Sequence, residues 1–272
     1  DIIKYDYLWP FIRIDLNESL CGKTSVLNIL RSLLFRRALE MLPVQNKGFY
    51  LQENQGWEFA LVQYWNYFNH QQLIGVCHST VRYWDLRYFF DNRSYSNKEY
   101  NQLPRPYRIA VNGELMRDMF INNGYNKEEL IEVEALRYLY LGLDNFCRKV
   151  KSHSKSIVIL VLGEYLYENT HYQMRILEEA SLNFNNKISL LVKPHPNCPI
   201  KSENYPRLNM TITSDPLVNL LGKVDIAYTS NVTSASIDAY CASLPVISVL
   251  DPKTLNMHPL LGLNGIKFIK SS

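Results

Sequence analysis

The sequence has no Cys-x-x-Cys pair: its five cysteines, Cys21, Cys77, Cys147, Cys198 and Cys241, are scattered and odd in number. That spacing excludes a disulfide framework and a structural zinc site, and it points to a reducing, cytosolic setting. No stretch reaches the ~18 consecutive apolar residues that a membrane-spanning helix requires. Charge of one sign is lacking as well. Lys and Arg total 29 against 26 for Asp and Glu, and a net charge of +3 is too small to imply a nucleic-acid partner. No Asp-x-Asp occurs anywhere, so the usual carboxylate pair for a metal-bound diphosphate is missing and no metal is expected. Gly22-Lys23-Thr24 has the ending of a P-loop, but position 17 is Asn17 where the loop needs its opening Gly, so that motif is a decoy.

What is present is a core-forming composition, 47% hydrophobic and 12% aromatic, arranged as apolar strand-like runs alternating with segments of helical period. Strands are expected near 48–52, 72–77, 107–111, 156–162, 188–192, 209–213, 225–228 and 245–249. Helices are expected near 25–42, 55–69, 114–123, 168–184, 215–222 and 232–242. This alternation is the pattern of α/β architecture with largely parallel sheets. The charged, non-periodic stretch Cys147–Lys155 precedes the apolar run Ile157–Leu162 and places a domain boundary near residue 152, giving domains 1–151 and 152–272. Within 25–42, Leu27, Leu30, Leu34 and Ala38 trace one helical stripe among Arg31, Arg36 and Arg37. Its expected use is packing onto a sheet; peripheral contact with an anionic membrane face is the second reading.

Two strand ends carry the chemistry. Ile188–Val192 runs into Lys193-Pro194-His195-Pro196, and open α/β sheets gather ligands at the carboxyl ends of their strands. The prolines keep Lys193 and His195 out of helical geometry, so a cation and an imidazole stand on a stiff extended turn suited to a phosphate. Asp225–Tyr228 then leads into Thr229-Ser230-Asn231-Val232-Thr233-Ser234-Ala235-Ser236. A strand ending in hydroxyl residues and opening a helix presents amide and side-chain donors to an anion, although any helix start also favours these residue types.

These two motifs, followed by Ala242-Ser243-Leu244-Pro245-Val246-Ile247, resemble the nucleotide-binding half of GT-B glycosyltransferases of bacterial surface-polysaccharide assembly, especially those using CMP-linked sialic acid or Kdo. Teichoic-acid CDP-glycerol polymerases also carry a Lys-Pro-His-Pro turn. Glu53-Asn54-Gln55-Gly56-Trp57-Glu58, Gly75-Val76-Cys77-His78-Ser79-Thr80 and Glu134-Ala135-Leu136-Arg137-Tyr138 are similar to a group of uncharacterised surface-carbohydrate biosynthesis proteins. The resemblance implies two Rossmann-like domains in a GT-B-type arrangement. Because the chain opens on Asp1 and both ends look abbreviated for that fold, truncation at one or both ends is expected. It further implies transfer of a sugar from a nucleotide-sugar donor, most simply a CMP-linked ulosonic acid, to a glycan or lipid-linked glycan acceptor. The alternatives are a CDP-glycerol or CDP-ribitol polyol-phosphate transferase and a non-catalytic nucleotide- or carbohydrate-binding subunit.

On this reading Lys193, His195, Ser230, Thr233, Ser234 and Ser236 hold the donor without a metal. Glu53 and His78 follow the strands near 48–52 and 72–77, and Asp85 follows a few residues later. They are the candidates for the catalytic base or nucleophile, expected to face the donor across an interdomain cleft, and the sequence does not rank them. Glu134 and Arg137 could reach that cleft or form an ion pair with each other. His70, His153 and His171 are expected to face solvent.

Overall fold

The computed structural model describes residues 7, 9–82, 84–91, 93–96, 102–142, 156–184 and 188–270. The chain divides into two compact units, Asp1–Ser79 with Leu86–Val133, and Thr80–Asp85 with Glu134–Ser272. The boundary expected near residue 152, like His153, falls outside the described residues.

The first unit opens with two helices, α1 (Trp9–Cys21) and α2 (Lys23–Met41), joined at Gly22. The Glu18 carboxylate accepts the Thr24 amide at 3.0 Å and closes this corner, so Gly22-Lys23-Thr24 is a helix junction, not a phosphate loop. There follow β1 (Lys47–Leu51), α3 (Gly56–Tyr67), β2 (Gln72–Val76), the short α4 (Arg93–Ser96), β3 (Arg108–Val111), α5 (Glu114–Asn122) and β4 (Leu130–Glu132). The four strands are parallel in the order β1-β2-β3-β4. Leu39, Val62, Trp65 and Leu73 join α2, α3 and β2 in one core. Gly48 is required there, since a Cβ would come within 2.4 Å of Trp65 Cη2.

The second unit contains β5 (Ile157–Leu162), α6 (Tyr167–Ser181), β6 (Ile188–Lys193), β7 (Met210–Ile212), α7 (Val218–Leu221), β8 (Ile226–Thr229), α8 (Ala235–Cys241), β9 (Val246–Leu250) and β10 (Ile266–Lys270). Its six parallel strands run β10-β9-β8-β5-β6-β7, a doubly wound order in which the chain starts at β5 and builds outward both ways. The period of two along β5 divides its side chains between layers. Leu160 and Leu162 pack with Leu220, Leu221 and Ala239 beneath α7 and α8, whereas Val161 packs with Met174 and Leu177 of α6.

The α/β class and the expected strands are present. Helix α1, α4 and the edge strands β4 and β10 were not foreseen, and the helix expected over 215–222 shortens to α7 because Pro216 and Gly222 bracket it. The α2 stripe departs from expectation. Leu27, Leu30, Leu34 and Ala38 are exposed, and the inward side instead carries Ser25, Asn28, Ser32, Phe35 and Leu39. Ser32 meets the Tyr64 hydroxyl at 3.4 Å, and Phe35 stacks on Trp57 with centroids 5.9 Å apart, so these contacts with α3 set the rotation of α2.

Candidate functional site

In the second unit, strand register aligns Lys193 of β6, Leu162 of β5 and Thr229 of β8 across the sheet. The three connections leaving this row are therefore neighbours at one carboxyl edge. The connections from β5 and β8 leave toward opposite faces, to α6 and α8, and the gap between two such strands is the usual ligand position in a doubly wound sheet.

Gly163 links the first two connections: its amide donates to the Lys193 carbonyl at 3.1 Å, and a Cβ there would meet His195 N at 3.4 Å. Lys193 Nζ donates to the Asp215 carbonyl at 2.6 Å, which uses one of its three N–H bonds. His195 Nδ1 accepts the Asn197 amide at 3.2 Å, leaving Nε2 to carry the proton, and the ring lies edge-on to Tyr165. Both Lys193 and His195 are half-buried, at the surface of this edge.

The hydroxyl-rich turn is organised around a residue the sequence reading overlooked. Glu164 is only 1% exposed, and its carboxylate accepts the Val232 amide at 3.0 Å, the Asn169 side-chain amide at 2.6 Å and the Ser230 hydroxyl. Thr170 Oγ1 holds the Glu164 backbone from both sides, accepting its N–H at 3.1 Å and donating to its carbonyl at 2.9 Å. The signal was available, since Glu164 follows an apolar strand as closely as Glu53 does.

This arrangement corrects the picture of a uniform anion cradle. Ser230 points inward to Glu164, and the fully buried Ser236 donates to the Thr233 carbonyl at 2.7 Å, so both shape the turn. Thr233 is buried, whereas Ser234 is partly exposed and accepts a hydrogen bond from Arg137 Nη2 at 3.0 Å. Arg137 lies on a 3-10 helix, Leu136–Gly142, and reaches the turn. Arg82 joins it there, donating to the Val232 carbonyl at 2.9 Å. Tyr140 of the same 3-10 helix donates its hydroxyl to Asp238. Burial raises the Asp238 carboxyl above its usual range, against the lowering effect of Tyr140 and Arg137.

Behind the turn, the Asn231 side chain clamps a distant loop by donating to the Leu255 carbonyl at 2.7 Å and accepting the Met257 amide at 2.9 Å. That clamp brings in His258, which is fully buried, accepts the Leu260 amide at Nδ1 and lies 3.4 Å from Thr229 Oγ1. Burial, aided by the Arg82 cation, pushes its pKa down to about 3.

The first unit brings two of the three proposed catalytic groups together. Tyr50 and Leu51 of β1 pair with Gly75 and Val76 of β2, so the residues two past each strand end sit side by side. Glu53 Oε1 and His78 Nε2 are 3.6 Å apart and both half exposed. Glu58 fixes the backbone that carries Glu53. Its carboxylate accepts the amides of Glu53, Asn54 and Gln55 at 2.9, 3.0 and 3.1 Å in a capping box at the start of α3. Burial raises the Glu58 carboxyl above its ordinary value, opposed by these three donors. Asn54 adopts the left-handed conformation (φ 56°) and donates to the Tyr125 hydroxyl at 2.6 Å. Asp85 is buried in the Thr80–Asp85 segment of the second unit.

Two of the other histidines also depart from expectation. His70 is buried beside Trp65 and accepts the Gln45 amide at 3.0 Å, and His171 is half-buried between Tyr167 and Tyr205. Among the described residues, no helix is long and apolar enough to cross a membrane.

No protein-family model and no curated protein matches this chain. Solved structures do. A UDP-GlcNAc 2-epimerase from Neisseria meningitidis bound to UDP-GlcNAc superposes with TM-score 0.54 at 14% identity, over 90% of this chain and 69% of that one. MurG from Acinetobacter baumannii gives TM-score 0.54 at 11% identity, over 88% and 64%. The GtfA/B complex gives 0.52 at 10% identity, over 89% of this chain, which spans 49% of that one. The fold is of the GT-B type. Its two Rossmann-like units account for the two parallel sheets of this chain.

Proposed function

We propose that this chain is a glycosyltransferase of surface-polysaccharide assembly whose nucleotide-sugar donor binds by its phosphate at the carboxyl edge of the second sheet. The observation that carries this reading is the alignment of Lys193, Leu162 and Thr229, which sets the Lys193–Pro196 turn and the hydroxyl turn on either side of the β5 end, along one carboxyl edge of a doubly wound sheet. Lys193, the Nε2–H of His195, Thr233 and Ser234 meet the donor phosphate, while Arg137 adds positive charge through its bond to Ser234. Ser230 and Ser236 keep the turn in shape.

The chemistry is substitution at the anomeric carbon. An acceptor hydroxyl forms the new C–O bond, the bond from that carbon to the phosphate oxygen breaks, and the phosphate leaves with the electron pair. Cations and donors at the turn stabilise the departing charge without a metal, in keeping with a sequence that lacks Asp-x-Asp. Glu53 or His78 takes the acceptor's proton; the two lie 3.6 Å apart at one edge of the first sheet. Asp85 is the third candidate and, being buried, the weakest.

The donor is most simply a CMP-linked ulosonic acid, such as Kdo or a sialic-acid-like sugar, and the acceptor a glycan or lipid-linked glycan. This finer assignment rests on the motifs quoted from the sequence. A thermal-shift panel of CMP, CDP, UDP and GDP tests it, because a ligand that binds only the native state raises the melting temperature. CMP is expected to protect most, with no change on adding EDTA. Greater protection by UDP, the nucleotide named with the Neisseria epimerase, would replace cytidine by uridine. Protection by CDP above CMP would favour polyol-phosphate transfer, and protection without turnover of any donor would favour a binding subunit.

A further inference from the structure

Helix α2 is mounted with its polar side inward. Ser25, Asn28, Ser32, Phe35 and Leu39 face the body of the first unit, and only Leu39 among the described residues of the helix is fully buried. On the opposite side Val26, Leu30, Leu33 and Leu34 are 64%, 51%, 55% and 59% exposed. A surface helix ordinarily turns such residues toward the core. In the neighbouring helix α1, Trp9, Ile12, Ile14 and Leu20 are exposed as well. Several large apolar side chains exposed on one face of a helix mark an interaction site.

We propose that the outward face of α2 docks onto an anionic phospholipid bilayer. Charge selects this occupant. Lys23, Arg31, Arg36 and Arg37 flank the exposed leucines, and Glu40, the sole carboxylate of α2, is paired to Arg37 at 3.0 Å. Against a second copy of the chain these cations would crowd one another, whereas lipid phosphates meet them while the acyl boundary takes the leucines. The arginines also keep α2 from crossing the bilayer, so it lies in the interface plane. The surface belongs to the first unit alone, so it stands or falls independently of the donor assignment.

Flotation of the 272-residue chain with vesicles provides the test. The protein is expected to float with vesicles of phosphatidylglycerol and phosphatidylcholine, to remain below with phosphatidylcholine alone, and to be released from the anionic vesicles by high salt. Leu30→Ser with Leu34→Ser, and separately Arg31→Glu with Arg36→Glu, should each reduce partitioning by roughly tenfold or more. All four side chains face solvent, so both variants should melt like the wild type. If a variant fails to fold, the lipid and salt arms on the unaltered chain still decide. Absence of flotation with anionic vesicles, or unchanged partitioning of the folded variants, would overturn the proposal. So would sedimentation showing a dimer that Leu30→Ser with Leu34→Ser splits, because the face would then join two copies.

Discussion

The buried carboxylate of Glu164 takes the backbone amide of Val232 at 3.0 Å, and thereby ties the end of β5 to the turn that follows β8. An internal acceptor thus fills the inward half of a turn whose composition suits an external anion. Further along the same turn, Ser234 is partly exposed and meets Arg137.

Removing that carboxylate should be costly. Glu164→Ala leaves the Val232 amide, the Asn169 amide and the Ser230 hydroxyl without their acceptor, and each buried unsatisfied donor costs about 1–3 kcal/mol. We expect a loss of about 3 kcal/mol or more in urea denaturation, with Glu164→Gln less severe because one acceptor oxygen survives. An unchanged urea midpoint for the Ala variant would show that the carboxylate does not organise the turn.

His258 should make the second unit acid-sensitive. Its folded pKa of about 3 lies below the unfolded value of 6.5, so the unfolded chain binds the proton first as pH falls. The stability it contributes is complete above pH 6.5 and is lost progressively toward pH 3. By pH 5 the loss from this group is about 2 kcal/mol. Melting at pH 7.5 and pH 5 should show a steeper acid decline for the native chain than for His258→Gln, whose side chain does not titrate. Parallel pH slopes would refute this role.

His195 should act on the ligand and not on the fold. Its Nδ1 bond to Asn197 closes a surface turn, while Nε2–H is directed to the phosphate in the proposed complex. His195→Ala is expected to weaken nucleotide binding by about 1.5–3 kcal/mol, the value of a charge-assisted hydrogen bond, while leaving the unliganded melting temperature nearly unchanged. Titration calorimetry giving the same Kd for both proteins would remove His195 from the site.

Glu53 and His78 should separate binding from turnover. With the donor identified by the nucleotide panel, Glu53→Gln or His78→Asn is expected to lower kcat by roughly 10²–10⁴ with little change in nucleotide affinity. The group whose replacement gives the larger fall is the base. If both variants, and Asp85→Asn, turned over normally, proton removal would lie elsewhere.

The α/β class and the strand ends bearing Lys193, His195, Glu53 and His78 were legible in the sequence, because apolar runs and helical periods are local signals. The prolines around His195 likewise state their backbone preference without tertiary help. The order of strands was not legible, since parallel pairing joins residues far apart in the chain: Leu162 meets Lys193 on one side and Thr229 on the other only after folding. Nor could composition tell which hydroxyls face inward. Ser230 and Ser234 are equally polar, but Glu164 draws the first into the protein while Arg137 meets the second at its surface. Helix α2 states the division most plainly. Its sequence determined that a helix would form and which residues would share each side, but the contacts of Ser32 with Tyr64 and Phe35 with Trp57 decided which side packs inward. Period belongs to one segment; orientation depends on the surface that segment meets.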